Sequence, residues 1–337
     1  MRIQRWIGYG AFAVAYVFVV SVAVLADTTI LNVSYDVSRE LYKDINPAFV
    51  AAEKARSGGT VTVNQSHGGS SKQALSVIGG LDADVVTMNQ APDIDILVER
   101  GGLVDANWRK RLPHDATPYT TVTVFLVRKV NPKAIRDWPD LTRDGLQVIV
   151  PNPKTSGNGR YTYLAAWGYA LRKNGNDETA ARGFVAKLFA NVPVLDGGGR
   201  GATTTFTQRD TGDVLVTFEN EALAVRAELG ADKFDIVYPS VSIEAAAPVA
   251  LVDKVVDKRG TRAVASAYLE FLFGREGQTI IAKHNFRPRD EAVLTSVKDR
   301  FPEIATFTVE SHLGGWKAVQ TAHFADGAIY DQIIQRR

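Results

Sequence analysis

The 337-residue chain alternates two kinds of apolar pattern. Short continuous runs rich in Val, Ile, Thr and Leu read as strands: "TILNVSY", "VTVNQS", "DVVTMN", "YTTVTVFLVRK", "LQVIVPN", "VPVLD", "GDVLVTF", "FDIVYPS" and "PVALVDKVV". Between them stand stretches with helical spacing: "RELYKDINPAFVAAEKA", "SKQALSVIGGL", "YTYLAAWGYALRKNG", "NEALAVRAELG" and "AVASAYLEFLFGREGQTIIAKHN". Strands that are apolar throughout are covered on both faces. The expectation is therefore an α/β fold with mostly parallel sheets. Two polar, proline-containing stretches, Leu112–Thr121 and Tyr238–Pro248, run extended and join strand candidates. They read as crossovers between two lobes, with a cleft between them. The predicted division is 27–117 plus 245–337 for the first lobe and 118–244 for the second.

The N-terminus departs from this alternation. A basic start (Arg2, Arg5) leads into an apolar run from Trp6 to Ala26, with small residues at Val24 and Ala26. The run is about long enough to span a bilayer. Its small-residue ending, with no basic residue just after it, favours a signal peptide over 1–26, cleaved after Ala26. Formal net charge is +2, and Arg2 and Arg5 account for it, so the remainder has no basic field to attract nucleic acid. Any anion site must be local. The absence of cysteine excludes disulfides and a lipid-modified cysteine. These features fit a periplasmic protein that folds by core burial alone.

Chemistry concentrates at four strand-to-helix junctions: "SYDVSRE" (34–40), "SHGGSSKQA" (66–74), "TSGNGRY" (155–161) and "DGGGRGATTTF" (196–206). Each puts Gly, Ser, Thr or Asn where a helix starts, and such residues cap helices and leave backbone N–H groups free. Helix N-termini with free N–H groups attract anions. Other readings of the same residues are weaker. "HGGS" (67–70) is like the oxyanion-hole motif of lipases, which would make Ser70 or Ser156 a hydrolase nucleophile, but the chain has no G-x-S-x-G. "GGGRGA" (197–202) fits a dinucleotide fingerprint, though late in the chain and in an exported protein. The five histidines are scattered, so no metal site is expected, and no cofactor. Ser70 and Ser156 could be plain helix caps, and Trp167 reads as core.

At these residues the chain resembles the periplasmic sulfate- and thiosulfate-binding proteins of ABC importers. The resemblance rests on "LNVSYDVSRELY", "QSHGGSSKQA", "ADVVTMNQ", "RLPHDATPYTTVTVFLVRKVNPK", "NPKTSGNGRYTYLAAWGYAL", "GRGATTTF", "GDVLVTFENEA", "AYLEFLF", "NFRPRD" and "GGW", which span nearly the whole mature chain. It implies a two-lobed periplasmic binding protein of type II that closes on its anion, a monomer that delivers it to a membrane permease. It also implies the ligand-binding residues. Asp36 would offer its backbone N–H rather than its carboxylate. Ser70 would line the site; Ser156, Gly157 and Asn158 would offer N–H groups, with the Ser156 hydroxyl; Gly199 would offer its N–H. Arg39, Arg160 and Arg200 would brace the loops from behind. Two departures stand out. The sulfate branch carries a tryptophan donor where Phe218 stands, and tends to carry a glycine where Asn158 stands. An apolar ring suits the large, soft sulfur of thiosulfate, so the resemblance implies a binder of thiosulfate as well as sulfate. Related binders of molybdate or phosphate are the near alternatives. Both sulfur anions are proton-free at neutral pH, whereas phosphate often keeps a proton, which a donor-only pocket leaves unpaired.

Overall fold

The structure, a computed structural model, describes residues 27–335. The predicted signal peptide lies outside them. Twelve strands follow in chain order among the described residues: β1 (Thr28–Tyr35), β2 (Val61–Gly68), β3 (Val85–Thr87), β4 (Tyr119–Arg128), β5 (Val148–Pro151), β6 (Leu195–Asp196), β7 (Val214–Phe218), β8 (Phe234–Val237), β9 (Ser242–Ala246), β10 (Val249–Leu251), β11 (Arg287–Pro288) and β12 (Thr306–Phe307). They form two sheets, one per lobe, of order β10-β3-β1-β2 and β12-β9-β4-β7-β5-β6.

In the first sheet β2, β1 and β3 are parallel, and β10 pairs antiparallel with β3. The second sheet is mixed, which corrects the expectation of mostly parallel sheets. Its β5, β6 and β7 are parallel, but β4 runs antiparallel to β7, β8, β9 and β11. The reason is positional. β4 enters from the other lobe through the middle of the sheet, and nine of its ten residues are buried. Burial on both faces gives the same unbroken apolar run whichever way a strand points. Two more expectations were too long. "PVALVDKVV" is a strand only to Leu251, after which Asp253–Arg259 is helical. The stretch 263–285 breaks at Gly274 into helices Arg262–Phe271 and Arg275–Lys283.

The chain crosses between sheets at the two predicted places, entering β4 after Thr117 and leaving β9 before Val249. Just before the first crossing, His114, Asp115 and Ala116 are all in the left-handed region, with φ of 53°, 54° and 59°. A third passage is new. β11 pairs with the first two residues of β4, and the Gln278 amide donates to Pro118 O at 2.9 Å. Beyond it, the last stretch joins the second sheet rather than the first. β12 pairs with β9, Tyr330 packs on Tyr163 and Phe189 with ring centres 5.8 and 5.7 Å apart, and Lys154 Nζ donates to Asp331 at 2.9 Å. Residues from 306 onward thus depart from the predicted division, which had them with the first lobe. Trp167 is core as expected, stacked on Tyr163.

Candidate functional site

Every junction singled out in the sequence leaves the carboxyl end of a strand and starts a helix, the end at which open α/β sheets bind ligands. After β1, Asp36–Ser38 forms one 3-10 turn leading into the helix Arg39–Ser57. After β2, Gly69 precedes the helix Ser70–Ile78. After β5, Ser156 caps the helix Gly157–Lys173, its hydroxyl accepting the Gly159 N–H at 3.4 Å. After β6, Gly198 precedes the helix Gly199–Thr207. Phe218 ends β7 and is the extended residue before the helix Glu219–Leu229.

These junctions meet across the cleft, and the glycines are what let them do so. A Cβ on Gly69 would lie 2.5 Å from Thr155 O and 2.7 Å from Gly197 O, both backbone atoms of the second lobe. A Cβ on Gly199 would lie 2.8 Å from Val37 and 3.0 Å from the Asn158 amide nitrogen. The Gly198 Cβ position is 3.6 Å from Gly69 Cα. A direct bond adds to this: Arg200 N–H donates to Asp36 Oδ2 at 3.0 Å across the cleft, while Thr155 Oγ1 donates to Gly197 O at 3.1 Å and ties two junctions within the second lobe. The structure therefore brings together Asp36, Ser70, Ser156, Gly157, Asn158 and Gly199. Ser70, Ser156 and Asn158 are all buried.

The free donors are specific. The N–H groups of Gly157, Asn158 and Gly199 lie in first helical turns, where no carbonyl four residues back can accept them. The Ser156 N–H, expected to face outward, is instead donated to Asn152 O at 2.9 Å, which leaves its hydroxyl. Asn158 Nδ2 donates to Thr217 Oγ1 at 3.1 Å. Phe218 is buried with its ring edge-on to Tyr161, at 5.9 Å between centres, and offers no donor.

Formal positive charge stays behind the loops. Arg160 is buried and donates to Pro153 O at 2.9 Å, holding the loop that precedes Ser156. The Arg200 side chain pairs with Glu221 at 3.5 Å. The Arg39 side chain is exposed and makes no hydrogen bond or ion pair with the described residues, so no side-chain contact of it braces a loop. Burial raises the Asp36 carboxyl above its usual range, against the pull of the Arg200 N–H. Burial also pushes Glu221 up to about 7, against Arg200 and a 2.8 Å bond from Thr203 Oγ1. His67 is lowered by burial first and then by the nearby charge of Arg39, which keeps it neutral near pH 7.

Neither serine forms a nucleophile–base pair. Ser70 Oγ accepts the Asn89 N–H at 3.2 Å and points to Met88 Sδ at 3.6 Å; Ser156 Oγ serves as a cap. Among the described residues no cluster of His, Asp and Glu could hold a metal ion. A cavity of about 330 Å³ opens beside the junctions; Glu40, Glu221 and Glu228 line it together with Arg200 and Lys283, so it has no excess of positive charge to draw an anion. Sequence reasoning missed a fifth junction of the same kind. After β3, Asn89 faces Gly157, whose Cβ would lie 2.5 Å from the Asn89 Cγ. Pro92 at the start of the next helix was the available signal.

Comparison with known proteins places this arrangement. A family model described as bacterial extracellular solute-binding protein matches residues 31–287. The thiosulfate-binding protein of Pseudomonas aeruginosa is 61% identical over 90% of this chain and 91% of its own length. The sulfate-binding protein of Salmonella typhimurium is 55% identical over 94% of this chain and 96% of its own. Among solved structures, the sulfate-binding protein SubI from Mycobacterium tuberculosis superposes with a TM-score of 0.80 at 35% identity, covering 88% of this chain and 99% of that one. Five helix starts facing each other across two α/β lobes, with sequence likeness along nearly the full length, make the chain a member of the bacterial extracellular solute-binding proteins, in their sulfate- and thiosulfate-binding branch.

Proposed function

We propose that this protein captures thiosulfate and sulfate in the cleft and presents the closed, loaded form to the membrane permease of an ABC importer, as an exported monomer of the periplasm that begins at Asp27. The observation that carries this reading is the convergence of helix N-termini from both lobes on one spot with no cationic side chain of the described residues in it. Each helix end contributes roughly half a positive charge, so several together offset a dianion. Donors for it are the Ser156 hydroxyl and the N–H groups of Gly157, Asn158, Gly199 and Asp36, with Ser70 alongside. A hydrogen bond to a charged group is worth about 1.5–3 kcal/mol. Six or so of them exceed the ~8 kcal/mol of micromolar binding, which leaves room for desolvation and ordering.

The lobes act as 27–117 with most of 245–305, and 118–244 with the closing stretch. An anion bound by both favours their closed arrangement. The test is calorimetric titration with thiosulfate, sulfate, phosphate and molybdate. Thiosulfate and sulfate bind and phosphate does not; absence of heat with both sulfur anions refutes the reading. Ser156→Glu, which places a carboxylate at the anion's position, abolishes binding and leaves the circular dichroism spectrum unchanged. Retained affinity in that variant would move the site elsewhere.

A further inference from the structure

Asn89 is a polar side chain in the cleft whose amide has no partner among the described residues. It is 4% exposed, and its Oδ1 is fully buried with no hydrogen-bond partner. Its Nδ2 likewise bonds to none of the described residues. Its position is not loose. The Asn89 backbone N–H is held by Ser70 Oγ at 3.2 Å, and its amide abuts Gly157, where no side chain could fit. The amide thus bridges the two lobes, between the serine of one junction and the first helical residue of another. A buried polar group without a partner is costly and uncommon, and an absent ligand is one of its ordinary explanations.

We infer that Asn89 is an additional ligand-binding residue, whose side-chain NH₂ donates to the bound sulfur oxyanion. The inference rests on the function proposed above and extends it. An amide can turn about χ2 and exchange its oxygen and nitrogen. Next to a guest that carries only lone pairs, the nitrogen side is the stable one. Asn89 then supplies, from the first lobe, a donor for an anion that gets none from Phe218. It also ties ligand to closure, because its amide meets Gly157 only when the lobes are together.

The experiment titrates the wild-type protein, Asn89→Leu and Asn89→Asp with thiosulfate, sulfate and phosphate, and records each anion-free melting temperature. Asn89→Leu keeps the shape without the donor. It weakens thiosulfate and sulfate by roughly ten- to a hundredfold, the equivalent of one charge-assisted bond, and leaves the anion-free melting temperature unchanged or higher. Asn89→Asp adds a carboxylate and abolishes binding. In ¹⁵N-labelled wild-type protein, the side-chain NH₂ pair missing from the Asn89→Asp spectrum shifts on saturation with thiosulfate. Unaltered affinity in Asn89→Leu overturns the inference. So does a lowered anion-free melting temperature together with an unmoved NH₂ pair, which would make the residue structural. Failure of the wild-type protein to bind either sulfur anion would instead refute the function on which the inference rests.

Discussion

Phe218 and Glu221 sit three residues apart and act in different ways. Phe218 closes β7 as an apolar wall against Tyr161. Phe218→Trp adds an indole donor, and its expected effect is a shift of preference toward sulfate. Because the site is close-packed, it also costs about 1–3 kcal/mol of stability; an unchanged ratio of the two affinities in calorimetry would discredit the role given to the ring. Glu221 is buried and titrates near 7, well above the ordinary glutamate range. A raised carboxyl favours the folded state while protonated, so its stabilisation is complete below about pH 4.3 and is lost as the pH rises to about 7. The loss is on the order of 3 kcal/mol. Urea unfolding of Glu221→Gln at pH 5 and pH 8 should show a smaller fall than the wild type, by up to that amount. Ser156, Gly157 and Asn158 were legible because a Ser-Gly-Asn cap before an apolar helix is a local signal. Asn89 and the burial of Glu221 were not. Asn89 depends on what the other lobe brings and Glu221 on the helix Gly199–Thr207, and nothing in "MNQA" or "ENEA" encodes either.

Among the elements, helix starts were easier to read than strand directions. Glycine, serine and asparagine mark a helix N-terminus by their own conformational preferences. The direction of β4 depends on where its neighbours come from, and its run "YTTVTVFLVR" is silent about that. The junction ahead of the helix Ser70–Ile78 gives the sharpest test. Gly69 has an ordinary backbone conformation, with φ of −56°, so alanine is tolerated there in an isolated lobe. In the closed molecule its methyl meets two carbonyl oxygens of the other lobe, and backbone atoms cannot swing aside. Gly69→Ala should therefore hold the lobes apart. The expected result is at least a hundredfold loss of affinity with an anion-free melting temperature within about 1 °C of wild type. A variant that binds normally would mean that the lobes do not approach at this point.

On the scale of the whole molecule, two lobes and a cleft followed from alternating patterns and two extended crossings. The third passage did not, because β11 is two residues long and pairs outside its own neighbourhood. If the anion bridges the lobes, small-angle scattering should record a smaller radius of gyration on adding thiosulfate, and Gly69→Ala should show no such contraction. Ligand at a hundred times its Kd should stabilise the wild-type protein by about 2.7 kcal/mol, read as a rise in melting temperature.

The closing stretch carries one more consequence. Two of the rings that cover Tyr163, and the carbonyl and carboxylate that hold Lys154, come from residues 324 to 331. The helix Gly157–Lys173, which fronts the cleft, thus has part of its aromatic flank covered by a segment far along the chain. A chain without the residues beyond about 300 keeps both sheets nearly complete and still cannot finish the second lobe, because those rings and the partners of Lys154 are missing. Completion of the binding face is therefore a long-range event, decided by contacts of high sequence separation.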